Sequence, residues 1–163
     1  MNSFVVTEEM MATHKQRATN YLLDFSFIFI LMILLLTGLA FIAMLFELKT
    51  FLYWLFHMNN LQQYLLLTVT TIVYYGMSET LTSSTLGKFI TGTIVVMPDG
   101  SKPDSETILK RTMMRIVPLE WITFFGMPSR GWHDVYPNVY VVDRRTFQTS
   151  YRKFKQHKNS INL

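Results

Sequence analysis

A chain of 163 residues suits a single domain, and half of these residues are hydrophobic while only 16% are charged, against roughly 25% in soluble domains, which argues against an ordinary water-soluble globule. The absence of cysteine excludes disulfides, thiolate metal sites and a cysteine nucleophile, and leaves the compartment open. The net charge of +4 is unevenly placed: two Lys or Arg precede Tyr21, Lys49 stands alone between residues 47 and 60, and twelve follow residue 77.

The apolar run over residues 21–46 carries one charge, Asp24, near its start. About 20 apolar residues cross a hydrocarbon core of roughly 30 Å, so this run predicts a spanning helix. It leads into Glu47-Leu48-Lys49 and not into a small-residue cleavage site, so it reads as a permanent anchor rather than a signal peptide. The connection that follows is aromatic, with Phe51, Tyr53, Trp54 and Phe56 as interface anchors. Residues 61–81 predict a second span. Gln62, Gln63 and Glu79 lie near its ends and Thr68, Thr70 and Thr71 interrupt its middle, where hydroxyls can bond back to helix carbonyls. The expected architecture is an α-helical membrane protein with an antiparallel hairpin of two transmembrane helices. Lys49 marks the outer loop and the basic C-terminal part marks the cytoplasm, so both termini are expected inside a bacterial inner membrane.

Three further elements follow. Residues 104–117 predict an amphipathic helix with Asp104 or Ser105 as its cap; Ile108, Leu109, Thr112, Met113, Ile116 and Val117 lie on one side, with Lys110, Arg111 and Arg115 off it. That helix either lies on the inner leaflet or packs on the protein's own cytoplasmic part. The apolar run over residues 113–127 is too short to cross and contains Arg115, Pro118 and Glu120, so residues 104–127 are expected to be interfacial or re-entrant. Two β-like runs, residues 93–96 and 139–142, are expected to pair as a short ribbon, the first ending in the turn signal Pro98-Asp99-Gly100. Residues 144–163 are basic and polar and are expected to fray as a tail.

Two polar stripes end at the same depth. Arg17, Asn20, Tyr21 and Asp24 share one face of the first helix, and Thr68, Thr71, Tyr75, Ser78, Glu79 and Thr82 share one face of the second. An antiparallel pair brings Asp24 and Glu79 together. An ionised carboxylate toward the bilayer centre costs about 2.5–3.5 kcal/mol on insertion scales, so both need cations. Arg17 and Lys88 are nearest in sequence, and Arg115 is available if the amphipathic helix folds back. Such a cluster serves as a clamp on the hairpin, as a proton or cation pathway, or as a site for lipid headgroups or a partner.

The segment from Arg17 to Asp24, the run from Ser83 to Val96, and the run from Arg111 to Phe125 before Arg130-Gly131-Trp132-His133-Asp134 follow one another around two spans. This order resembles the RDD family of bacterial membrane proteins, in a form similar to Bacteroidetes versions, over roughly residues 12–145. By that resemblance the family's Arg, Asp and Asp fall on Arg17, Asp24 and Asp134, and its T-x-GK motif on Thr85, Gly87 and Lys88. Members with His-Asp-Arg have an arginine where this chain has Val135, and many have a longer third apolar segment. The resemblance implies a transport-related membrane protein, some members being linked to cation/proton exchange. The functional polar cluster is therefore read as Arg17, Asp24, Glu79, Lys88, Arg115, Glu120, His133 and Asp134.

Other chemistry is weakly encoded. Residues 85–88 lack the preceding glycine and spacer of a phosphate loop, and read as a turn leaving the membrane with Lys88 toward headgroups. His133 and Asp134 lack the further ligands a metal needs, Asp134 reading better as partner to a basic residue. No catalytic base stands by Ser83 or Ser84, so no enzyme, cofactor or metal is expected. The basic tail mixes Arg and Lys with Phe147, Tyr151 and Phe154, which suits anionic lipid better than nucleic acid in this setting. Two spans offer little wall for a path, so a homo-oligomer or other membrane subunits are expected; a non-catalytic accessory subunit of a larger complex is the alternative.

Overall fold

Thr13 opens the longest helix with a capping box: its hydroxyl accepts from the Gln16 amide while the Gln16 side chain reaches back to the Thr13 N–H. The computed structural model describes residues 3–116 and 130–161. In chain order these form α1 (His14–Leu45), α2 (Lys49–Phe56), α3 (Asn60–Thr82), α4 (Leu86–Thr91), β1 (Thr93–Val96), α5 (Ser105–Met114), α6 (Trp132–Val135), β2 (Tyr140–Asp143) and α7 (Arg144–Ile161). A 3-10 turn, Glu8–Met10, precedes them.

At about 1.5 Å per residue α1 is about 48 Å long. Among the described residues it is the one helix both long and apolar enough to cross a membrane. Its outward side chains, Leu22, Phe29, Leu34 and Phe41 among them, are exposed along the whole length. The helix α3 is about 34 Å long and covers the expected second segment, but its threonines and glutamines leave it less apolar than α1. Gln62, at the polar end of that segment, is the third helical residue and closes a second capping box with Asn59. α1 and α3 pack against each other, joined through α2.

The expected ribbon forms. β1 and β2 pair antiparallel, with Ile94 opposite Val142 and Val95 opposite Val141. Because side chains alternate across a strand, the two faces serve different ends. Val96 and Val142 join Phe4, Val6, Met10 and Phe147 in one core, while Val95 and Val141 pack with Ala12 and Val139 in another. The extended N-terminal segment lies along the ribbon, held by the Ala12 N–H to the Val141 carbonyl and the Val6 N–H to the Pro98 carbonyl.

Two expectations change. The chain end is not a frayed tail through residue 161: it is α7, started by Asp143, whose carboxylate accepts the N–H groups of Arg145 and Thr146. Phe4 then sits edge-on to Phe147, Tyr151 and Phe154, which anchors the helix. The amphipathic helix α5, capped by Asp104 as one of the two candidates, buries a different face from the expected one. Ile108, Arg111 and Thr112 are buried, while Leu109 and Met113 are exposed. It packs against α3 and α6. From residue 117 onward the 113–127 run, including Glu120, lies outside the described residues.

Candidate functional site

The first turns of α1 bury one stripe of side chains, Arg17, Asn20, Asp24 and Ile28, at the spacing the sequence implies; Tyr21 turns out of it and is exposed. On α3 Tyr75 and Glu79 are buried, Thr68, Thr71 and Ser78 are partly so, and Thr82 is exposed, while Thr70, off the expected stripe, is buried as well. Both stripes face the junction of α4, α5, α6 and the ribbon, where an extended network of buried charges assembles.

Arg111 is its centre. From α5 its Nη2 and Nε donate to Asp134 Oδ1 at 2.6 and 2.9 Å, and its Nη1 bridges both Glu79 carboxylate oxygens. Asp134, on α6, also accepts from Arg17 Nη1 at 2.7 Å. Glu79 also accepts from Lys88 Nζ at 2.6 Å and Arg115 Nη2 at 3.2 Å. The planar guanidinium of Arg111 can serve two carboxylates at once, which a lysine ammonium could not do with the same geometry. The chain Arg17–Asp134–Arg111–Glu79–Lys88 thereby ties α1, α3, α4, α5 and α6 together. These five side chains are each at most 5% exposed. Burial alone would raise the Asp134 carboxyl, but Arg111, His133 and Arg17 outweigh it and hold the group well below the usual carboxylate range. Burial has the upper hand at Lys88: it lowers the ammonium to about 8 although the Glu79 carboxylate pulls the other way, and the like charges of Arg111 and Arg115 lower it further.

Arg17 is therefore not the counter-ion of Asp24, the role its position seven residues earlier implied. Asp24 is held by uncharged donors. Its Oδ1 accepts from the Tyr74 hydroxyl at 2.8 Å and the Gly87 N–H at 2.9 Å, and its Oδ2 from the Thr85 hydroxyl at 2.7 Å. Among the described residues no Lys or Arg nitrogen lies within ion-pair distance of Asp24. The residues 85–88 are not a headgroup-facing turn. They start α4: Thr85 caps it by accepting from the Lys88 N–H, and the first turn presents its free N–H groups to Asp24 and to the Tyr74 hydroxyl. Gly87 is required by close approach, since a Cβ there would lie 2.7 Å from the Asn20 carbonyl oxygen and 2.8 Å from Asp24 Oδ1. Asn20 itself joins the Thr91 and Thr93 hydroxyls. Lys88 is buried on Glu79 instead of facing headgroups.

The remaining expected residues divide. Arg115 folds back as proposed, its guanidinium 3.8 Å over the Tyr75 ring. His133 Nε2 stands 3.4 Å from Asp134 Oδ1. Arg130 holds backbone, donating to the Val139 carbonyl at 2.9 Å and lying over the Tyr140 ring. Arg111 and Tyr74 were missed. A signal for Arg111 existed, since positions 108, 111, 112 and 115 share a helix face with Ile108. Between the network and the two long helices lies a cavity of about 160 Å³, reached by Asp24, Thr71, Tyr75 and Lys88. Among the described residues no three His, Asp or Glu side chains converge as a metal site.

No curated protein and no solved structure matches the chain significantly. A family model described as the RDD family matches residues 11–136, a stretch that begins just before the cap of α1 and closes two residues after Asp134. The match spans most of the chain and takes in α1, α3, α4, α5 and α6, the helices of this junction, and the chain belongs to the RDD family.

Proposed function

We propose that this RDD-family protein is a transport-related protein of a bacterial inner membrane, with both termini in the cytoplasm, and that its exchangeable site is Asp24. The observation that carries the reading is the division of labour among the buried carboxylates. Glu79 and Asp134 are saturated by arginine and lysine, whereas Asp24 opens on the cavity and its donors among the described residues are hydroxyl and backbone groups. A carboxylate held by hydroxyls can gain or lose a proton with small rotations of its donors, and intramembrane carboxylates mark such routes. The four cations around the cavity favour a proton over a metal cation as the species handled, because a metal ion would face their repulsion in a low-dielectric setting.

Support for a second span comes from α3, where Leu61, Leu65, Val69, Val73, Met77 and Leu81 form an exposed apolar stripe at helical spacing. Since Phe4 and α7 share one core, the two chain ends lie together, and the basic character of α7 supports the cytoplasmic side for both under the positive-inside rule. The test is an imposed pH gradient across proteoliposomes holding the purified protein. Wild type dissipates the gradient and Asp24→Asn does not; equal rates for the two would end the reading. The α3 stripe also favours a second reading, an accessory subunit that docks on a larger membrane complex. A partner at fixed stoichiometry in native-membrane purification, with no flux from the isolated protein, would decide for it.

A further inference from the structure

The cavity between α1 and α3 is unbalanced in charge. Arg17, Lys88, Arg111 and Arg115 line it, with His133 beside them, but of the carboxylates among the described residues only Asp24 does. Glu79 and Asp134, which balance two of these four cations, are wholly buried and do not line it. Arg115 retains donor capacity: it makes one 3.2 Å bond to Glu79, and its buried Nε has no hydrogen-bond partner among the described residues. Apolar side chains, Phe25, Ile28 and Leu67, complete the lining. At about 160 Å³ the space is smaller than the 300–1,000 Å³ typical of pockets that enclose a whole ligand. It is open on one side, and Tyr21 and Phe25, two of its lining residues, are half exposed.

We propose that this cavity binds the head of an anionic amphiphile, a phosphate or carboxylate group set on the cationic wall, with the first part of its apolar chain against Phe25, Ile28 and Leu67. Cations left facing a low-dielectric space are costly, and an anion completes them through charge-assisted bonds for which guanidinium is well shaped. The apolar wall adds favourable transfer only for an anion that carries a chain. The small volume fits a head and the start of a chain, with the remainder outside beside Tyr21 and Phe25. Basic pockets between membrane helices bind lipid headgroups in this way. The source is a bilayer lipid or a soluble amphiphile. The inference does not depend on proton movement through Asp24.

The test uses the full chain, delipidated in a neutral detergent, with binding read by titration calorimetry and native mass spectrometry. Four probes are compared: dioctanoyl phosphatidylglycerol, dioctanoyl phosphatidylcholine, sodium octanoate and inorganic phosphate. Phosphatidylglycerol or octanoate should bind one to one, and the tighter of the two identifies the source as lipid or soluble amphiphile. Arg115→Gln should weaken that binding by about tenfold or more, and it leaves Glu79 on Lys88 and Arg111. Leu67→Trp fills the apolar end without touching a charge and should weaken it comparably, so the test stands even if the arginine variant fails to fold. Equal binding of phosphatidylcholine, equal binding of inorganic phosphate, or an affinity indifferent to both substitutions would overturn the proposal. Asp24→Asn separates this inference from the proton reading: it should abolish flux yet preserve or tighten anion binding, and a loss of binding in that variant would count against the proposal.

Discussion

Replacing Arg111 by Met keeps length and apolar stem while deleting the one cation shared by two buried carboxylates. Three donor groups are lost, Nε and Nη2 on Asp134 and Nη1 on Glu79. Neither carboxylate is stripped bare: Asp134 keeps Arg17 at 2.7 Å, and Glu79 keeps Lys88 at 2.6 Å and Arg115 at 3.2 Å. The loss should therefore match the removal of one member of a buried ion pair, about 3–5 kcal/mol, and not the sum of all its bonds. For a chain of this size that is a fall in unfolding temperature of about 6–20 °C. Arg111→Lys retains the charge but reaches one carboxylate at a time, and should cost about 1.5–3 kcal/mol. Adding Glu79→Gln to Arg111→Met removes a stranded charge and should recover part of the loss. The assay is thermal unfolding in detergent followed by helical circular dichroism. A change for Arg111→Met within about 1 kcal/mol, the range of an exposed ion pair, would refute the central bridging role.

Gly87→Ala places a methyl 2.7 Å from the Asn20 carbonyl oxygen, so α4 must move off α1 at a cost of about 1–3 kcal/mol, whereas Gly38→Ala, with open space around it, should be neutral or stabilising in the same unfolding assay. Lys88 is lowered to about 8 when folded, against about 10.4 in an unfolded chain; unfolding between those values takes up a proton, so stability from this group rises over that range, and Lys88→Met should flatten the rise in unfolding measured from pH 7.5 to 10.5. Asp134 has the same sign in a lower window: its contribution is complete above its unfolded value near 3.9 and is lost as pH falls toward its depressed folded value, so acid titration of wild type should show a stability loss that Asp134→Asn lacks. Phe4→Ala removes the ring that Phe147, Tyr151 and Phe154 surround, and limited proteolysis should then cut within residues 144–161 well before the rest of the chain.

Periodicity reads faces well and partners poorly. The stripe of Arg17, Asn20 and Asp24 was legible because a helix places those positions on one side, and so were Tyr75 and Glu79 on α3. What periodicity could not supply was which cation meets which carboxylate. Arg17 pairs with Asp134, 117 residues away, and not with Asp24 on its own helix, since Asp134 is brought beside it by the ribbon and α6. The apolar residues of α5 predict a buried side that leaves Arg111 outward. Leu109 and Met113 are exposed, and the burial of an arginine was set by two carboxylates on other helices. The helical end of the chain hid for a simpler reason: its capping residue, Asp143, sits at the end of β2, so the strand pattern masked the helix start.

The claim on which the account turns is that Arg17 is committed to Asp134, which leaves Asp24 without a cation among the described residues. Double-mutant cycles on unfolding in detergent test it directly, pairing Arg17→Met with Asp134→Asn and, separately, with Asp24→Asn. The account predicts a coupling of about 1–3 kcal/mol for the first pair and little for the second. A strong coupling of Arg17 to Asp24, with none to Asp134, would contradict it.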